Sequence, residues 1–233
     1  MALNLKQDQD IEKATDSLGG GGVLDSNIYP FQIKTIYLGS SKTAAVSATV
    51  VGKLENGSEF KTTQWIISGN SKGNKPYYER NGKKYPLPGY TVIDDICQIV
   101  TGTSLGDIEM EEKTVKIYDF ELGKEVPTEV DCICDVEDGE VFLAVIKQLE
   151  DKTEDDGAGG RSVIVGESRE TNEVAKVLNA DGATLLEVKD AAEIVWKDKW
   201  LTKNEGNVRD KRAKGTGAAG APQKASTAKK MFS

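Results

Sequence analysis

Side chains begin to alternate with a period of two at Ile28, a pattern that suits a pleated strand and no helix. In 28–39 (IYPFQIKTIYLG) the alternation sets Tyr29, Phe31, Ile33, Thr35 and Tyr37 on one face. Two further strands are expected over 43–54 (TAAVSATVVGKL) and 58–69 (SEFKTTQWIISG). GSSK and the turn signal Glu55-Asn56-Gly57 connect them, which predicts a three-stranded antiparallel meander. Pro86 and Pro88 then stop the extended character. Residues 91–102 carry Val92, Ile93, Ile96, Ile99 and Val100 at helical spacing, with Thr91 and Asp94 as a capping-box-like start and Gly102 as the stop. Strand patterns return in 113–122, 129–138 and 140–150, and Asp138-Gly139 is a tight-turn signal between the last two.

Three strands, one helix and two or three more strands is the order of an OB-fold-like five-stranded antiparallel barrel with a helix between strands 3 and 4. The expected fold is mainly β, with that barrel over 28–150 and a C-terminal α/β extension over 151–206. Residues 1–27 read as a flexible N-terminal arm and 207–233 as a disordered basic tail. Within the extension, 152–162 reads as an acidic, glycine-rich loop, 162–167 as a strand and 171–182 as a short helix. Residues 183–188 fit either state. Asp190 and Glu193 start a further helix over 190–204. Trp196 and Trp200, four apart, share one face of it with Ala192, and either dock the helix onto the barrel or stack on bases.

Charge is distributed unevenly. The chain carries a net charge of −8, and residues 105–156 hold eighteen acids against five lysines. Residues 61–90 reverse the sign: Lys61, Lys72, Lys75, Arg80, Lys83 and Lys84 stand against Glu79 alone. The same window holds five of the fifteen aromatic residues, Trp65, Tyr77, Tyr78, Tyr85 and Tyr90. Cations interleaved with flat rings suit a polyanion with exposed bases, because the cations track phosphates and the rings stack on any base. A surface hairpin with its tyrosines flat on the sheet is the bland reading of the same residues. The candidate contacts are Lys72, Lys75, Arg80, Lys83 and Lys84 for phosphate, Trp65, Tyr77, Tyr78 and Tyr85 for stacking, and Lys61 as a weaker member. An acidic particle disfavours an all-round grip on a duplex, yet leaves a basic face for a single strand.

Other chemistries find little footing. The chain has no histidine, hence lacks the commonest general base and metal ligand, and carries no phosphate-loop or nucleophile-elbow motif. The Gly19–Gly22 run follows no apolar strand and reads as a linker. No enzyme activity, cofactor or metal is expected. Cys97, Cys132 and Cys134 make a poor disulfide framework and read as small buried residues in a reducing compartment. No apolar run approaches the roughly 20 residues of a membrane span, and the N-terminus lacks a secretory layout, so a cytoplasmic protein is expected.

The strand order, the KGNKPYYERNGKKYPLPG segment and the WLTKNEGNVRDKRAK stretch together resemble the single-stranded DNA-binding proteins of tailed bacteriophages. The resemblance covers roughly 28–150, with the tail as an appendage. It implies an OB fold in the host cytoplasm and a role in replication, recombination and repair by coating exposed strands. It also implies recruitment of phage replication or recombination proteins through a C-terminal tail, here Met231 and Phe232. In that family the tail is acidic; here Phe232 follows the basic Lys229 and Lys230. Two rivals remain: a β-rich structural or assembly protein of a virion, and a magnesium-dependent nuclease using the acids of 105–156.

Overall fold

The computed structural model describes residues 22–119, 122–155 and 161–212. Residues 1–21 of the expected arm and 213–233 of the expected tail, with Met231 and Phe232, lie outside the described residues.

The predicted meander forms from β1 (Asn27–Ser40), β2 (Val46–Leu54) and β3 (Glu59–Ile67), all antiparallel. Its side chains do not follow one unbroken alternation. The β1–β2 register shifts between Ile33 and Thr35, so Phe31, Ile33 and Ile36 all enter the main core. Tyr37 is turned to the opposite face, a correction to the expectation that it shares a face with Phe31 and Ile33.

A small hairpin follows, β4 (Tyr77–Arg80) and β5 (Lys83–Pro86), and then α1 (Pro88–Thr101). The helix starts earlier than the sequence suggests. Leu87 is its N-cap and Pro88 opens the first turn, while Thr91 donates its hydroxyl to the Leu87 carbonyl from inside the helix. Gly102, at φ 77°, ends it as expected. Val92, Ile93, Ile96 and Cys97 are buried on the inner face of the meander.

β6 (Glu111–Asp119) and β7 (Lys124–Cys132) form a hairpin that folds over the outer face of the meander. There Val115, Ile117 and Val130 pack on Tyr37, Val51 and Cys132, a second small core. β8 (Glu140–Asp155) and β9 (Arg161–Leu178) make a long ribbon, and β1 divides one edge between partners. Its first part pairs with β8, and Tyr37 pairs with Cys132 of β7. The Asp138-Gly139 turn therefore does not join a hairpin. It hands the β1 edge from β7 to β8, with Ile33 N–H donating to Gly139 O and Asp138 N–H to Ile33 O.

The expected helix over 171–182 is instead the inner half of β9. A register shift between Ala144 and Val145 on β8 leaves Ala175 as the extra residue of β9, so Val174 and Val177 both enter the core three positions apart. That spacing imitates a helix. The 190–204 helix is also redrawn, as α2 (Leu185–Lys189) and α3 (Trp196–Asn204), followed by β10 (Val208–Asp210), which pairs parallel with β8. Trp200 is buried against Ala144 and Ile146, which docks α3 on the sheet as one of the two readings had it.

The eight-stranded sheet runs β10-β8-β1-β2-β3, with β7 and β6 branching from β1 and β9 from β8. Among the described residues no ladder joins β3 to β9, so the sheet does not close into the expected barrel. The first turn of α1 stands against β3 there. A Cβ on Gly89 would lie 2.4 Å from Trp65 O and 2.7 Å from Trp65 N. Only glycine lets helix and strand approach this closely.

Candidate nucleic-acid interface

The basic, ring-bearing window is built from short-range devices. After β3 the chain makes a tight loop in which Asn70 N–H donates to Thr43 O at 2.8 Å and Ser68 N–H to Lys75 O at 2.9 Å. Lys75 N–H returns to Ser68 Oγ, also at 2.9 Å. Leu87 N–H closes the base of the hairpin on Pro76 O at 2.8 Å. At its tip, Asn81 (φ 52°) and Gly82 (φ 72°) both adopt the left-handed conformation a two-residue turn needs.

Cross-strand register then sorts the side chains. Tyr78 opposes Tyr85 and Arg80 opposes Lys83, which puts these four on one face of the hairpin. The two tyrosine rings stack at 5.6 Å with an interplanar angle of 24°, and are 45% and 40% exposed. Tyr77 and Lys84 belong to the other face. The Lys84 ammonium lies 4.7 Å from the Tyr77 ring centroid and Lys75 approaches the same ring at 5.4 Å. The hydrogen bond with the Tyr77 hydroxyl holds the Lys84 pKa above its ordinary value.

Trp65 stands beside the hairpin on the exposed row Lys61, Thr63, Trp65 of β3, and is 51% exposed. Between this row, the 68–75 loop, the hairpin and the start of α1 lies a cleft of about 870 Å³. Trp65, Lys72, Lys75, Tyr77 and Tyr78 line it; Arg80, Lys83, Lys84 and Tyr85 continue along the hairpin outside it. Lys61 is absent from the lining and sits 5.6 Å over the ring of Tyr37, at the margin of the β6–β7 cover.

Among the described residues, two carboxylates line the cleft, and each has a cation. Glu79 pairs with Lys75 at 3.7 Å. Glu173, from β9, pairs with Arg209 at 3.1 Å and also with Lys211. Burial pushes the Glu173 carboxyl up, but Lys211 and Arg209 outweigh it and the net shift is downward. Among the described residues, Lys72, Arg80 and Lys83 form no ion pair. The cleft therefore offers cations to an incoming anion without presenting it an uncompensated negative group.

Glu173, Arg209 and Lys211 were not singled out from sequence, since nothing local marks three charges on distant strands as neighbours. The buried Thr49 and the exposed Thr63, whose hydroxyls meet at 3.1 Å across β2 and β3, were missed for the same reason. All three cysteines are free thiols, with Cys97 and Cys132 buried. Among the described residues, no group of three or more acids or cysteines is placed to share a metal ion, and no helix is long and apolar enough to cross a membrane. No family model matches the chain, and no curated protein matches it.

Proposed function

We propose that this protein binds single-stranded DNA with little sequence preference and without catalysis. The observation that carries the proposal is the cleft together with the hairpin beside it: an exposed tryptophan, a stacked tyrosine pair and unpaired cations gathered on one side of an acidic molecule. Stacking on Trp65, Tyr78 and Tyr85 is indifferent to base identity, and Lys72, Arg80 and Lys83 would follow the phosphates. In this reading the sheet is of OB type, with a seam between β3 and β9 filled by α1 in place of a ladder; the meander–helix–ribbon order supports it. The biological setting we infer is the coating of exposed strands in phage replication, recombination and repair, in the host cytoplasm. Replication proteins would be recruited through the tail.

A fluorescence titration with oligo-dT tests the reading. Trp65 emission falls on binding, the affinity drops as salt rises, and duplex of equal length binds more weakly. A Trp65→Phe variant separates the signal from Trp196 and Trp200. Absence of both quenching and salt-sensitive binding would turn the assignment toward a virion structural role, and cleavage of labelled strand in magnesium would turn it toward a nuclease.

A further inference from the structure

A second apolar hollow, of about 660 Å³, opens beside the cleft at the far end of β1–β3; Ile67 lines both. Its apolar walls include Leu38, Val46, Leu105 and the 37%-exposed Met110, and among the described residues its rim carries Glu129 and Asp131 with no lysine or arginine. Asp131 is directly opposite Glu112 in the β6–β7 register, two like charges side by side. Such a pair destabilises a sheet unless something cationic joins it. Among the described residues Glu112, Glu129 and Asp131 form no ion pair; Lys113, on the other face of β6, is taken by Glu137 at 3.0 Å.

We propose that this hollow receives the chain's own Lys229-Lys230-Met231-Phe232 segment, with the two ammonium groups on the Glu129–Asp131 rim, beside Glu112, and the Met and Phe side chains against the apolar walls. The segment is the complement of the site in both respects: adjacent cations followed at once by two large apolar residues. Reach is sufficient. Sixteen residues lie between Arg212 and Lys229; the steps from one to the other, at roughly 3.4 Å each, span up to about 58 Å, more than the about 40 Å breadth expected of a domain of this size. The assignment does not depend on nucleic-acid binding.

Hydrogen exchange on the full chain, compared with its Phe232→Ala variant, reads the docking directly. Exchange at 103–110 and 128–132 is expected to be at least fivefold slower in the parent chain, with equal exchange in α3. A labelled peptide of residues 224–233 then binds the Phe232→Ala chain, whose hollow is vacated, and binds at least tenfold more weakly once Glu129→Gln and Asp131→Asn are added. Both rim residues are exposed, so the double variant keeps its thermal melt. Equal exchange in the two chains, or peptide binding indifferent to the rim, overturns the proposal. A parent chain that sediments as a dimer while Phe232→Ala is monomeric also overturns it, in favour of the tail reaching a second copy.

Discussion

Trp65 and Trp200 carry the same side chain and should respond oppositely to truncation. Trp65 is 51% exposed on β3, while Trp200 is 8% exposed beneath α3, its ring stacked on Trp196 at 5.9 Å. Trp65→Ala should leave thermal stability within about 0.5 kcal/mol of the parent. Its cost falls on binding: losing one stacked base removes about 1–3 kcal/mol, or about 5-fold to 150-fold in affinity for oligo-dT. Trp200→Ala should instead cost about 3–5 kcal/mol in urea denaturation, with unchanged affinity of the folded fraction. If Trp65→Ala binds oligo-dT like the parent, the cleft is not where bases sit. The cations divide in a similar way. Lys75 is shared between Glu79 and the Tyr77 ring, so its removal should weaken binding less than removal of Arg80 or Lys83.

At the scale of elements, two contacts decide whether the cleft and the C-terminal extension hold their shape. Gly89 lets the first turn of α1 lie on the Trp65 backbone. Gly89→Val should cost about 1–3 kcal/mol by overpacking, and should weaken oligo-dT binding because it moves one wall of the cleft; urea denaturation and the same titration check both. The second contact is Glu187, which completes a capping box with Thr184 and accepts the N–H groups of Val195 and Trp196 at 2.9 and 2.8 Å, tying α2 to the start of α3. The Thr184 N–H above all, against opposing desolvation, holds its carboxyl at about 2, well below the ordinary 4.5. A folded-state pKa below the unfolded one gives stability that is present above about pH 4.5 and lost as pH falls toward 2. Glu187→Gln should therefore melt lower than the parent at pH 7, and the gap should close between pH 4.5 and 2, read by tryptophan emission. A gap that persists at pH 2 would assign the effect to packing. Both contacts join residues that sequence pattern treats separately, and that marks what was legible. The meander, its Glu55-Asn56-Gly57 turn and the Gly102 stop are local signals and appear where expected. Tyr37 and the 171–182 segment were misplaced because single bulges shift the period from two to three. The basic window was legible as a cluster because its loop and hairpin fold on themselves; the Glu173–Arg209–Lys211 group was not, because only the β8–β9–β10 packing assembles it.

For the whole molecule, the sign of the charge on each side decides what can bind. Net charge is −8, yet the cations of the hairpin and its loop stand on one side with their nearby carboxylates compensated. A polyanion approaching from elsewhere meets the acids of β6–β7 and the β8–β9 ribbon, so only a thin, flexible strand can use the basic face without bringing its remaining phosphates against them. The number of phosphates neutralised is then limited to Lys72, Arg80, Lys83 and Lys84, with Lys75 as a fifth where it leaves Glu79. For single strands log K falls against log salt by about 0.7 per neutralised phosphate, which sets a slope of about −2.8 to −3.5. Arg80→Ala with Lys83→Ala should flatten it by about 1.4 units, because two counterions fewer are released. The same pair should leave the preference for single strand over duplex in place, since each form loses the contacts and the acidic ribbon still opposes only the duplex. Titrations of the parent and the double variant from 50 to 400 mM salt, on oligo-dT and on a duplex of equal length, measure both quantities. A parent slope shallower than about −1, or a double variant with the parent's slope, would place the anion path off the hairpin and leave its clustered charge without that role.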